Sequence, residues 1–192
     1  MAEALVQDVW DNFVTPVVDN GPVVTASFCV WLGLQLFLDY GFPAAFPALY
    51  EQIVKSSKKD NWDNIRTRVM GTVYGLYTSI AAVYALLNCD PGLQSDLYAK
   101  DDFIQTFLVA VAAGWFIWDC IDCLLHPEWG LLFQVHGFVA LGIFSGCLKP
   151  FLHHTAAIVL LYEASTPLMH LRKTMLTFGY AEKYPKCFIG AS

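Results

Sequence analysis

Apolar residues fall into five stretches, and the segments between them carry most of the charge. A helix needs about 20 apolar residues to cross the hydrocarbon core of a bilayer. The third stretch has twenty-three residues, and the other four are of comparable length. The pattern predicts an all-α fold, a polytopic transmembrane helical bundle of about five spans, at residues 22–38, 69–88, 103–125, 131–148 and 151–171.

The fifth stretch is the least regular of the set. His153, His154, Glu163 and His170 interrupt it, and the Thr166-Pro167 pair predicts a bend or an early end. No repeat or linker divides the chain. We therefore expect an N-terminal extramembrane segment over residues 1–21 and a single transmembrane domain over residues 22–192.

Composition supports a membrane protein. The chain is 56% hydrophobic and 15% charged, with a mean hydropathy of +0.47. A soluble domain has roughly 45–50% apolar and about 25% charged residues. Basic residues are scattered and the net charge is −6, so we expect no nucleic-acid partner, because such binding needs a basic face. The acidic N-terminus lacks a basic n-region, so we expect no cleaved signal peptide.

Lysine and arginine predict the orientation of the spans. Nine of these residues lie between the first two spans or in the tail, and only Lys100 and Lys149 lie in the alternate segments. Basic segments remain in the cytosol. The prediction is a lumenal N-terminus and a cytosolic C-terminus, in agreement with five spans.

Polar residues on four different spans lie at a similar predicted depth. Counting about 1.5 Å per residue from the cytosolic ends places four of them roughly 8–12 Å below the interface. Two arginines lie at the interface above them, and a second aspartate lies one helical turn nearer the surface. This predicted polar layer consists of Arg68, Tyr74, Asp119, Asp122, His136, Glu163 and Arg172.

The polar layer has two interpretations. One is a buried hydrogen-bond cluster that holds the helices together, since polar groups in lipid must satisfy one another. The other is a cavity that receives a lipid headgroup or carries out proton chemistry, with His136 as base beside Asp119 or Asp122. No helix-borne His-x-x-x-His pattern is present. We therefore expect neither a metal site nor another cofactor.

Two further pairs have structural interpretations. Cys120 and Cys123 form a Cys-x-x-Cys pair, but redox pairs act at exposed helix starts, and this pair lies inside an apolar stretch. It is predicted to pack as small apolar side chains. His153 and His154 begin a helix at the opposite membrane interface, which histidines tolerate.

Three short motifs resemble one membrane family. They read WDNIRTR at 62–68, GWFIWD at 114–119 and EASTP at 163–167, the last followed by an arginine at 172. In this order, on successive spans, they resemble the TLC-domain family, which includes ceramide synthases and translocon-associated membrane proteins. The family domain continues for one or two spans beyond this tail, so the resemblance implies a diverged or C-terminally short member.

Several positions depart from the family pattern. Its second span commonly reads Arg-x-x-Ser-x-x-His, and here Gly71 and Tyr74 occupy the serine and histidine positions. Ceramide synthases carry a His-His pair associated with acyl transfer, and here the pair reads Val135-His136. An asparagine of the family pattern is His170 in this chain.

The resemblance and its departures imply a non-enzymatic multi-pass protein of membrane lipid homeostasis or lipid binding, located mainly in the endoplasmic reticulum. Its expected partner is membrane lipid, and other membrane proteins or a homo-oligomer stay open. One alternative is a ceramide-synthase-like N-acyltransferase using His136, Asp119 and Asp122. Another is a transporter or cargo receptor, which the absence of paired repeats disfavours.

Overall fold

A computed structural model describes residues 6–7, 10–57 and 61–180, apart from the side chains of residues 12, 13 and 17. Every regular element within these ranges is helical. The elements that matter here are α1 (Gly21–Ala45), α2 (Pro47–Ser56), α3 (Trp62–Asn88), α4 (Ile104–Leu125), α5 (Leu131–Gly146), α6 (His153–Leu161) and α7 (Ser165–Thr177).

Three of these helices are long and apolar enough to cross a membrane. They are α1, α3 and α4, with 25, 27 and 22 residues. Helix α5 is equally apolar but has only 16 residues, a length of about 24 Å against the roughly 30 Å of a bilayer core. The all-α fold class and the membrane character predicted from the sequence are confirmed.

The fifth apolar stretch forms two helices rather than one regular span. Helix α6 ends at Leu161, a 3₁₀ turn covers Tyr162–Ala164, and α7 begins at Ser165. Pro167 lies in the first turn of α7 and has no backbone N–H for the carbonyl of Glu163. The interruption lies where the Thr166-Pro167 pair predicted a bend.

The chain divides into two compact units. The first comprises residues 1–32 and 77–162 and therefore contains α4, α5 and α6. The second comprises residues 33–76 and 163–192 and contains α2, the first half of α3, and α7. Helices α1 and α3 each contribute residues to both units.

Close backbone approach organises the first unit, where α4 packs against α1. A Cβ on Gly114 would lie 2.5 Å from the Cβ of Ser27 and 2.6 Å from the carbonyl oxygen of Val24. The Ser27 hydroxyl donates to the carbonyl of Val111 at 2.8 Å, and the Trp31 indole N–H donates to Ser27 at 3.1 Å. Only glycine is small enough for this contact. Small residues allow the same close approach of backbones at the interfaces of membrane helices.

Aromatic rings and an ion-pair cluster organise the second unit. Trp62, the first residue of α3, stacks on Phe42 at 5.9 Å and meets Tyr50 of α2 edge-on at 4.8 Å between ring centroids. Arg66, one turn further along, is 4% exposed and binds Asp39 at 3.0 Å and Asp63 at 3.2 Å. These contacts hold the start of α3 against the preceding segment.

Candidate functional site

The last turns of α4 carry a buried carboxylate. Asp122 is 2% exposed, and its Oδ1 lies 3.4 Å from Nδ1 of His126. The same Nδ1 lies 2.9 Å from the carbonyl oxygen of Asp122. Both neighbours are oxygens that only accept, so Nδ1 carries a proton and donates. The His126 ring stacks on Trp129 at 4.5 Å, which orients the imidazole.

Asp119 lies one turn earlier on α4 and faces α5 at Gly137. A Cβ on Gly137 would lie 3.0 Å from Oδ2 of Asp119 and 3.3 Å from the sulfur of Cys120. The thiol of Cys123 donates weakly to Oδ1 of Asp119 at 4.0 Å. The Cys120 and Cys123 side chains are both buried in this packing, and both are free thiols.

His136 directly precedes Gly137 on α5. Its side chain is exposed, and its ring lies 6.2 Å from the ring of Phe116. Within the described ranges His136 forms no hydrogen bond or ion pair. The sequence predicted that His136 lies within a hydrogen bond, or one bridging water, of Asp119 or Asp122. A direct hydrogen bond is absent among the described residues, and the reach through a water stays a prediction. Successive residues of a helix differ in direction by about 100°, so His136 and Gly137 lie on different faces of α5.

The remaining members of the polar layer belong to the second unit. Arg68 donates to the hydroxyl of Thr177 at 2.9 Å, and Glu163 accepts from Thr166 at 2.8 Å. The Tyr74 side chain is 1% exposed. Arg172 on α7 is exposed. A common layer containing residues of both units stays a prediction.

No group of three or more potential metal ligands is found among the described residues. One histidine outside the polar layer has a clear structural role. His153, 1% exposed, lies 3.2 Å and 3.0 Å through Nε2 from the carbonyl oxygens of Cys147 and Lys149. Its Nδ1 accepts the backbone N–H of Asp101 at 3.1 Å. These contacts join the start of α6 to the loop that precedes it and to the loop that precedes α4.

A comparison with protein families decides the affiliation. The family model described as TLC domain matches residues 64–191, more than half of the 192-residue chain. The chain belongs to the TLC-domain family. The three motifs that resembled this family lie within or beside the matched range. No curated protein and no solved structure matches the chain.

Two departures of this TLC domain from the family pattern contact each other. A Cβ on Gly71 would lie 2.6 Å from Nε2 of His170. Gly71 stands where the family carries serine, and His170 stands where it carries asparagine. The larger histidine therefore occupies space that the missing side chain leaves. The sequence showed both departures, but only their proximity reveals that they compensate.

Gly75 makes the corresponding contact one turn further along α3. Its Cβ would lie 2.8 Å from the ring of Pro167 and 3.0 Å from the carbonyl oxygen of Glu163. Gly71 and Gly75 thus form a Gly-x-x-x-Gly pattern that brings α7 close to α3. The sequence contained the signal for this contact, a pair of glycines four positions apart, although neither glycine belongs to the predicted polar layer.

Proposed function

We propose that this TLC-domain protein binds membrane lipid and takes part in lipid homeostasis without acyl-transfer chemistry. The observation that carries the proposal is the position of His136, exposed and beside the apolar ring of Phe116. A histidine that acts as general base is normally oriented by a carboxylate hydrogen-bonded to its second nitrogen. His136 has no such partner among the described residues.

The residues that replace the family's other polar groups support the same conclusion. Tyr74 stands at the family's second-span histidine position, and a phenol with a pKa near 10 keeps its proton at neutral pH. Val135 stands at the first position of the histidine pair and offers neither donor nor acceptor. Acyl transfer also requires donors that stabilise an oxyanion. Binding requires only hydrogen-bond partners and space.

In this proposal the polar layer contacts the lipid headgroup. An arginine guanidinium matches the oxygens of a phosphate with two parallel N–H donors. Arg68 is suited to this role because Thr177 already orients its guanidinium at 2.9 Å. The residues assigned to headgroup contact are Arg68, Tyr74, Asp119, Asp122, His136, Glu163 and Arg172.

The test combines lipid retention with turnover. Protein purified into nanodiscs is expected to retain phospholipid, measured by native mass spectrometry, and to form no N-acyl product from long-chain base and acyl-CoA. Arg68→Gln should reduce retention roughly tenfold, because a hydrogen bond to a charged group contributes about 1.5–3 kcal/mol. Lys173→Gln, which removes an exposed charge from α7, is the matched control.

Turnover is also measured for two variants that each replace one histidine. If the wild-type protein forms product, and His136→Ala abolishes it while His154→Ala does not, the protein is an N-acyltransferase of the ceramide-synthase type. Equal retention of lipid by Arg68→Gln and the wild type would instead contradict the assignment of Arg68 to headgroup binding.

The proposal includes a location in the endoplasmic reticulum with a lumenal N-terminus and a cytosolic C-terminus. The family membership supports the location. The orientation is supported by nine basic residues in one set of alternate segments against two in the other. Reporter fusions at residue 95 and at the C-terminus are expected to report opposite sides of the membrane. A fusion at residue 57 is the control and should agree with the C-terminal fusion. A cytosolic signal from residue 95 would refute the assigned topology.

A further inference from the structure

An apolar groove of 410 Å³ opens on the first unit, between the second half of α3 and the start of α4. Its volume lies within the roughly 300–1,000 Å³ typical of small-ligand sites. Its lining surface is apolar throughout, and it shares no residue with the polar layer. The groove, called the α3–α4 groove below, is lined by Tyr77, Ile80, Ala81, Tyr84, Phe103 and Phe107.

The wall of the groove on α4 has an unusual backbone. Ile104–Val109 is a π-helical segment, and such segments often occur at functional sites. The hydroxyl of Tyr77 donates to the carbonyl of Phe107 in this segment at 2.6 Å. The hydroxyl of Tyr77 thus has its hydrogen-bond partner within the protein, and the apolar ring of Tyr77 lines the groove.

We propose that the α3–α4 groove binds one acyl chain of a zwitterionic phospholipid. The groove lies on α3 and α4, two of the helices suited to span the membrane, so hydrocarbon is the available occupant. Tyr84 lies one turn before the end of α3, and Tyr77 lies seven residues deeper, about 10 Å along the helix. The groove therefore extends from the membrane interface into the hydrocarbon region.

The side chains of the groove suit a chain better than a helix. Membrane helices associate through small residues that allow close backbone approach. Ala81 is the one small residue among the lining side chains, and the other five are large. Phe103 lies 4.8 Å from Tyr84 and 5.1 Å from Phe107 between ring centroids, which forms a continuous aromatic wall. A flexible acyl chain fits against such a wall, whereas a second helix lacks the required close contact.

Charge at the interfacial end of the groove selects the headgroup class. The connection from α3 to α4 carries four aspartates at positions 90, 96, 101 and 102, against one lysine. That lysine, Lys100, is already paired with Asp102 at 2.7 Å. The negative connection repels an anionic headgroup and attracts the cationic group of phosphatidylcholine or phosphatidylethanolamine.

Photo-crosslinking in nanodiscs tests the proposal. Phosphatidylcholine with a diazirine in one acyl chain is expected to label peptides of 77–84 and 103–107 at least threefold more than other membrane-exposed peptides. A phosphatidylglycerol probe with the same acyl chain should label them at least threefold less. Ala81→Trp, which fills the groove, should reduce the labelling about fivefold.

Two variants control for folding and for bulk lipid. Val83→Trp adds the same ring to an exposed position of α3 that does not line the groove, and its labelling should equal that of the wild type. Tyr84→Ala removes an exposed wall of the groove without adding volume, and it should also reduce labelling. The labelling of the two groove variants is compared with that of the wild type only if their melting temperatures are unchanged.

Three results would overturn the proposal. Uniform labelling of the exposed α3 surface that Ala81→Trp does not change would show that the label comes from bulk lipid and not from lipid bound in the groove. Equal labelling by both probes would refute headgroup selection. Disulfide formation between two copies of the Ile80→Cys variant, with no lipid label, would identify a second copy of the chain as the occupant. None of these results depends on Arg68 or on turnover, so the proposed function is tested separately.

Discussion

Asp39→Ala is expected to destabilise the protein by about 2 kcal/mol, because it leaves the nearly buried Arg66 guanidinium without its closer carboxylate. Arg66 is 4% exposed and lies 3.0 Å from Asp39. Removing one partner of a fully buried pair costs roughly 3–5 kcal/mol. The expected value is smaller since Asp39 is 21% exposed and Asp63 still binds Arg66. The melting temperature in detergent should fall by about 4–8 °C.

Asp63→Ala is the matched control, because it removes the other carboxylate from the same guanidinium. Asp63 lies 3.2 Å from Arg66 but is 39% exposed, and exposed ion pairs contribute roughly 0–1 kcal/mol. Asp39 also accepts the indole N–H of Trp62 at 3.2 Å, a contact that Asp63→Ala preserves. Equal melting temperatures for the two variants would contradict the importance assigned to Asp39.

Gly114→Ala is expected to cost about 3 kcal/mol, towards the upper end of the roughly 1–3 kcal/mol typical of overpacking. The added methyl group would lie 2.5 Å from the Cβ of Ser27 and 2.6 Å from the carbonyl oxygen of Val24. Neither atom can rotate away, so α1 and α4 must separate. The melting temperature should fall by about 6–12 °C. Separation should also lengthen the Ser27 to Val111 hydrogen bond.

Gly142→Ala provides the control for this prediction. Gly142 lies in α5 of the same unit, and no atom lies within 4 Å of the position its Cβ would occupy. Alanine has a higher helix propensity than glycine by about 1 kcal/mol, so this variant should be neutral or slightly stabilised. A melting temperature of Gly114→Ala equal to that of Gly142→Ala would show that α1 and α4 are not in close contact at this position.

Part of the candidate site was accessible from the sequence. The apolar stretches predicted α1, α3, α4 and α5, and the motifs at 62–68, 114–119 and 163–167 predicted the family. Asp119 and Asp122 were identified because carboxylates in an apolar helix are costly. The direct hydrogen bond from His136 to Asp119 or Asp122, one form of the predicted pairing, is absent among the described residues, since an estimate of depth contains no information on the direction in which a side chain points.

Contacts between distant residues could not be derived in the same way. In the sequence Arg66 belongs to the basic residues that predict orientation and to the WDNIRTR motif, but neither indicates that it binds Asp39, twenty-seven positions earlier. Gly71 and His170 are separate departures from the family pattern in the sequence, yet they meet in one space in the structure. Either residue alone gives no sign of the other, because a pairwise steric match depends on the rotation of two helices about their axes.

The sequence by itself determined the helical class, the apolar lengths and the TLC-domain membership, because these depend on local composition and on motif order along the chain. Only the tertiary structure decided that Gly137 lies against Asp119, and that Gly114 lies against Ser27. The physical reason is that hydrophobic burial is nearly non-directional, whereas each close contact depends on the rotation and separation of two helices.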